Sequence, residues 1–186
     1  MKKLFLSVFA ILMGLTVVTG CEHKETKKSL LCSPIDAYNE NNSMRFDLAE
    51  DGKTVTKIVY QEGFTEAFID KWYPDDNKDE MYELGAERVK YIYAMMMSGN
   101  EDLEWIDGQV YLDKEHYTGY VVLAFDVAHE DFEANTDNLA YLGQLGLNFF
   151  YNEDEKRFEV DGDKIEAESA DTWLRYNCEL QDQPTK

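Results

Sequence analysis

Apolar and polar positions alternate most clearly over Met44, Phe46 and Leu48, with Arg45, Asp47 and Ala49 between them. That period of two belongs to a half-buried strand. Glu50-Asp51-Gly52-Lys53 follows as a turn with Asp-Gly at its centre, and Val55 to Tyr60 resumes a β-rich run. Residues 44 to 62 are therefore predicted as a β-hairpin. Phe64 to Tyr73 fits either a short helix or a packed loop. Pro74-Asp75-Asp76-Asn77 then breaks the chain and offers N-caps. Residues 78 to 98 carry Met81, Leu84, Val89, Ile92, Met95 and Met96 on one broad helical face, closed by Gly99-Asn100.

Two more strands are expected at Trp105 to Leu112 and Tyr120 to Val127. The second reads Y-V-V-L-A-F-D-V and is nearly all apolar, so it is placed centrally with both faces largely covered. A helix is expected from His129-Glu130-Asp131 to Leu145, weakened by Gly143 and Gly146. Short strands at 149 to 151 and 158 to 160 and a last helix over 166 to 176 complete the pattern. The sum is an α+β fold: an antiparallel sheet of four to six strands with one to three helices on one face. Hairpins in place of βαβ units exclude a Rossmann-type arrangement.

The amino end departs from this pattern. Lys2 and Lys3 precede Leu4 to Val18, which is apolar apart from Ser7 and Thr16. Fifteen helical residues reach only about 22 Å against a bilayer core of about 30 Å, the length of a signal-peptide core. V-V-T-G-C, residues 17 to 21, then resembles the lipobox of bacterial lipoprotein signals, with Val18 where Leu is commoner. In that family the Cys21 thiol receives a diacylglycerol and the chain is cut before it. The resemblance implies a signal peptide at 1–20, a lipidated Cys21 opening a polar spacer at 21–31, and a single α+β domain at 32–186. Two alternatives stay open: an ordinary signal peptide followed by chance by Cys, and an uncleaved anchor. Lys24, Lys27 and Lys28 make the spacer basic, and ten such flexible residues span roughly 17 Å.

Removing residues 1 to 20 takes away two lysines and no acid, which moves the formal charge from −20 to −22. Nucleic acid and anionic lipid are poor partners for such a surface. If Cys21 is acylated, Cys32 and Cys178 remain as a disulfide candidate in an exported protein. A bridge would close a loop of about 146 residues, worth up to about 5 kcal/mol in chain entropy. The competing reading is two unpaired cysteines, with Cys178 buried as a small apolar residue.

D-G-K-T-V-T-K (51 to 57), the helix ending at Gly99, and V-V-L-A-F-D-V-A-H-E-D-F-E-A (121 to 134) resemble the YehR-type bacterial lipoproteins. These are small extracytoplasmic domains, and the likeness covers about half of the chain after residue 20. It implies lipid anchoring and an α+β fold, and it carries no catalytic motif.

No catalytic pattern is expected from the residues either. There is no G-x-S-x-G elbow, and His116 and His129 each lie beside acids. Asp75, Asn77 and Asp79 begin like a calcium loop, but its sixth and twelfth positions are Glu80 and Ala86. The acid-rich stretch 152 to 168 follows no ligand spacing, and no His/Cys cluster supports zinc. Trp72, Trp105 and Tyr111 are candidates for a sugar-binding face, against the commoner role of core aromatics. Met95-Met96-Met97 is a candidate adaptable patch. No cofactor or metal is expected and no residue is assigned as catalytic. The expectation is a membrane-anchored extracytoplasmic domain, non-enzymatic, binding an unidentified protein or small molecule. A cell-envelope hydrolase and a weak Ca²⁺-binding surface module are the alternatives.

Overall fold

The fold is described from a computed structural model over residues 28–34, 42–100, 102–161 and 176–182. Among the described residues, eight strands and three α-helices follow in the order β1 (Lys28–Pro34), β2 (Ser43–Leu48), β3 (Val55–Phe64), α1 (Glu66–Trp72), α2 (Lys78–Met97), β4 (Ile106–Asp113), β5 (Thr118–Asp126), α3 (Thr136–Gly143), β6 (Tyr151–Asn152), β7 (Arg157–Phe158) and β8 (Tyr176–Asp182). A 3-10 turn over Leu147–Phe150 links α3 to β6. Six strands form one sheet in the order β4-β5-β3-β2-β1-β8, and β6 pairs with β7 separately. Every pairing is antiparallel. The architecture is α+β, as the hydrophobic pattern predicts.

One cross-strand row organises the core. Leu30 lies opposite Phe46, Phe46 opposite Ile58, Ile58 opposite Phe125, and Phe125 opposite Ile106. All five are buried. Directly opposed side chains on one sheet face are the closest neighbours a sheet provides, so this row is a continuous apolar band. Helix α2 lies across it with Tyr82, Ala86, Val89, Ile92 and Met96 buried. The segment from Phe132 to Phe158 covers the rest of the same face: Phe150 meets Phe46 edge-on at 4.8 Å, and Phe132 meets Trp105 at 4.9 Å.

Each helix starts where a side chain satisfies a free backbone N–H. Thr65, Asn77 and Asn135 accept from the N–H of Phe68, Asp79 and Asn138. Helix α2 stops at Ser98, followed by Gly99 at φ +80. Its seat on the sheet needs Gly85. A methyl group there would lie 2.6 Å from the Phe64 ring.

Several elements differ from the predicted ones. Leu84 is 59% exposed, because the buried seam runs through Tyr82 and Ala86 instead. The helix expected from 129 to 145 shrinks to α3: Asp126 holds 128 and 129 in a turn, and Asn135 caps a later start. Residues 147 to 150 are a 3-10 turn, not strand. Strand β5 is internal, but helices cover only one of its faces; Tyr120 and Val122 on the other are half-buried. Strand β1 takes in Lys28 to Leu31, which the sequence reading gave to the spacer. Of the helix expected over 166 to 176, residues 166 to 175 lie outside the described residues, and Tyr176 opens β8.

Strands β1 and β8 bring Cys32 directly opposite Cys178. Their Sγ atoms are bonded at 2.16 Å with Cα atoms 4.1 Å apart, across 146 residues of sequence. The bridge joins the first strand to the last.

Two outcomes follow from this packing. Gly85→Ala gains about 1 kcal/mol in helix propensity yet is expected to lower stability by about 1–3 kcal/mol net, through the Phe64 contact. A lower urea midpoint with unchanged slope is the reading; a higher midpoint would show that Gly85 is not needed for the fit. The double variant Cys32→Ser, Cys178→Ser is expected to cost about 3–5 kcal/mol in the same measurement.

Candidate binding surface

The sheet has two distinct ends. The Lys28 end of β1 shares its level with Asp47, Lys57 and Asp126, so it includes the 49–54 turn and the 127–131 turn. The opposite end holds Pro34, Phe64, Gly119, the β4–β5 turn and the start of α2.

At the Lys28 end, Asp51 builds the turn. Its carboxylate accepts from the Thr54 hydroxyl and from the N–H groups of Lys53 and Thr54. Those bonds, the hydroxyl first, hold it at about 2. Nearby, Glu104, His129 and Asp131 place one ligand-type atom each within 4.8 Å of one another. His129 Nδ1 accepts from the Asp131 N–H at 3.2 Å, and its Nε2 lies 4.0 Å from the Glu104 carboxylate.

On the helix-covered face, Arg88 of α2 reaches Glu62 of β3 at 2.7 Å, and the Glu62 side chain is only 15% exposed. Tyr60 donates its hydroxyl to the other Glu62 oxygen at 2.5 Å. Burial, then the Glu62 charge, pushes the Tyr60 phenol far up. Tyr60 therefore stays protonated and donates, and the group works as a strut between sheet and helix.

The opposite end carries the densest polar network. Lys114 bonds Glu83 at 2.7 Å and lies over the Tyr82 ring. Lys78 joins Glu66 and Asp70, and Tyr117 donates to Asp79. His116 Nδ1 lies 2.7 Å from Asp113, and that hydrogen bond raises the imidazole above its ordinary 6.5. Along α2 beside this network, Asp79, Glu80, Glu83, Leu84 and Glu87 line a shallow open groove of about 400 Å³. That flank faces β4: Glu83 meets the β4–β5 turn, and Tyr93 and Met97 approach Gly108.

The residues singled out by sequence fall apart in space. Cys32 and Cys178 are brought together; Cys21 lies outside the described residues. His116 and His129 sit at opposite ends of the sheet, and their ring partners are carboxylates and a backbone N–H. Asn77 caps α2 and Asp79 bonds Tyr117, so the calcium-like spacing serves the helix start. Asn152 caps the β6–β7 turn and bonds Glu159. Trp105 is buried among Phe132 and Tyr141, and Lys71 lies over Trp72. Only Tyr111 of the aromatic candidates lies on the helix-free face of the sheet, 42% exposed and stacked on Tyr120 at 4.9 Å. Met96 is fully buried, with Met95 and Met97 packed beside it. Sequence reasoning missed the α2 flank, although its i, i+4 acids at 79, 83 and 87 were visible.

A scan against protein-family models found no match, and a search of curated proteins found none either. Among solved structures, the chain is similar to one described as "NMR structure of the protein from Streptococcus pneumoniae TIGR4". The two share 15% identity at a TM-score of 0.39, over 88% of this chain and 92% of that one.

The His116–Asp113 pair has a pH signature. The folded pKa lies above the unfolded value, so the contribution of the pair is complete below the unfolded pKa and disappears as pH rises through the folded one. Asp113→Asn is expected to lower the His116 midpoint in an NMR titration. An unchanged midpoint would show that the contact does not exist in solution.

Proposed function

We propose that this chain is a lipid-anchored extracytoplasmic domain that binds a partner without transforming it. The carrying observation is the order of features at the amino end: Lys2-Lys3, a short apolar core, Thr19-Gly20, then Cys21. Such an order supports export, cleavage and acylation of one sulfur. Two acyl chains hold a protein on a bilayer where one holds it marginally.

The fold supports the same reading in two ways. A disulfide between Cys32 and Cys178 suits an oxidising compartment. Strand β1 begins at Lys28, seven residues beyond Cys21, so an acylated Cys21 lies close in sequence to that end of the sheet. On this reading the Lys28 end of the sheet is the end nearer the anchor, and the α2 start and the β4–β5 turn form the far end. Function on such a scaffold belongs to that far end and to the open edges.

Intact-mass spectrometry of membrane-extracted protein tests the anchor. The expected mass is that of a chain starting at an acylated Cys21, and Cys21→Ser is expected to leave the protein unacylated and off the membrane. A native chain with a free Cys21 thiol and residues 1 to 20 still attached would overturn the reading.

A further inference from the structure

We propose that the open edge of β4 takes an extended, lysine- or arginine-rich polypeptide segment as an added strand. This deepens the binding reading above and rests on it. Strand β4 ends the sheet and pairs only with β5 among the described residues. The Asp126 N–H donates to the Trp105 carbonyl directly opposite, which sets the phase of the ladder. Opposed residues in an antiparallel pair alternate between exchanging both bonds and exchanging none. Asp107, Gln109, Tyr111 and Asp113 therefore bond β5, while Gly108, Val110 and Leu112 turn their N–H and C=O groups outward. Those N–H groups have no partner among the described residues.

Edges of this kind are usually blunted by proline, lysine, a bulge or extreme shortness. Strand β4 is eight residues long and has none of the first three: it reads I-D-G-Q-V-Y-L-D, in unbroken register with β5. Side chains beside the edge stay accessible, since Asp107, Gln109 and Tyr111 are exposed. The edge is thus a template for main-chain pairing.

Charge selects the occupant. On one face of β4 stand Asp107 and Asp113; at the β4–β5 turn Lys114 meets Asp79 and Glu83 of α2, which line an acidic groove with Glu80 and Glu87. The cations there are Lys90, Lys114 and His116, and Glu83 and Asp113 already hold the last two. A second copy of the chain would bring the same acids against these across a two-fold axis, with a formal charge of −20 on each molecule. A basic strand meets complementary charge on both faces.

The test uses the membrane-extracted chain in detergent and a short fluorescein-labelled peptide alternating lysine with valine. Anisotropy is expected to show saturable, salt-sensitive binding, with slower amide exchange at Gly108, Val110 and Leu112. A glutamate-for-lysine peptide is expected not to bind. Val110→Pro removes an outward donor without removing a β4–β5 bond and is expected to weaken binding about tenfold or more. A peptide N-methylated on the amides facing β4 is expected to lose binding with the protein unaltered. Glu83→Lys with Glu87→Lys is expected to weaken binding most at low salt. Unchanged exchange at the three amides, full binding of the N-methylated peptide, or dimerisation through β4 instead of peptide capture would each overturn the proposal. Absence of binding by a chain shown to be acylated at Cys21 would sink strand addition alone. An unacylated chain that still binds would sink only the anchor.

Discussion

The apolar band from Leu30 through Phe46, Ile58 and Phe125 to Ile106 is the constraint on which the rest depends. A sheet of this width exposes a large face to water, and burying it is the main gain available to a chain of this size. Helix α2 covers the β3–β5 part of the band, and the Phe132–Phe158 segment covers the remainder. The fit is close enough that backbone shape matters. Gly85 and Gly119 leave room for the Phe64 ring, and Gly108 leaves room for Tyr93 and Met97. An added Cβ at any of the three would press on the Phe64, Tyr93 or Met97 side chain.

Once α2 is seated, the polar chemistry falls into place around it. Arg88 reaches down to Glu62 on one flank, and Glu83 is met by Lys114 on the other. The chain has 18 basic residues against 38 acidic, so such pairs consume a large share of the cations. On the β4 side of α2 acids still outnumber cations, with Asp79, Glu80, Glu83 and Glu87 against Lys90 and Lys114. The asymmetry arises from geometry. One flank faces the covered centre of the sheet, while the other faces the open edge.

The two edges of the sheet differ in kind. Strand β8 is tied covalently to β1 through Cys32 and Cys178, whereas β4 pairs with β5 without a covalent link. Each of these outermost strands has one strand neighbour among the described residues.

Local patterns in the sequence determined the β2–β3 hairpin, helix α2 and the β4–β5 pair, because each shows its own period over eight or more residues. The same locality explains the errors. Leu84 fits an apolar face as well as Tyr82 does, and only contact with the sheet selects Tyr82. Strands β1 and β8 escaped notice because each becomes a strand only by pairing with the other and with β2. The meeting of Cys32 with Cys178 is a property of that pairing across 146 residues, which no window of sequence contains. Of the candidate binding surface, the acids at 79, 83 and 87 were legible as helical spacing. That they lie beside an unpaired edge was not, since strand order is decided by which faces bury together. Sequence by itself set the charge, the apolar stretch after Lys2-Lys3 and the local elements; tertiary structure decided the strand order and so which strands, β4 and β8, end the sheet, because backbone groups are left unpaired only where the packed whole has no strand to offer them.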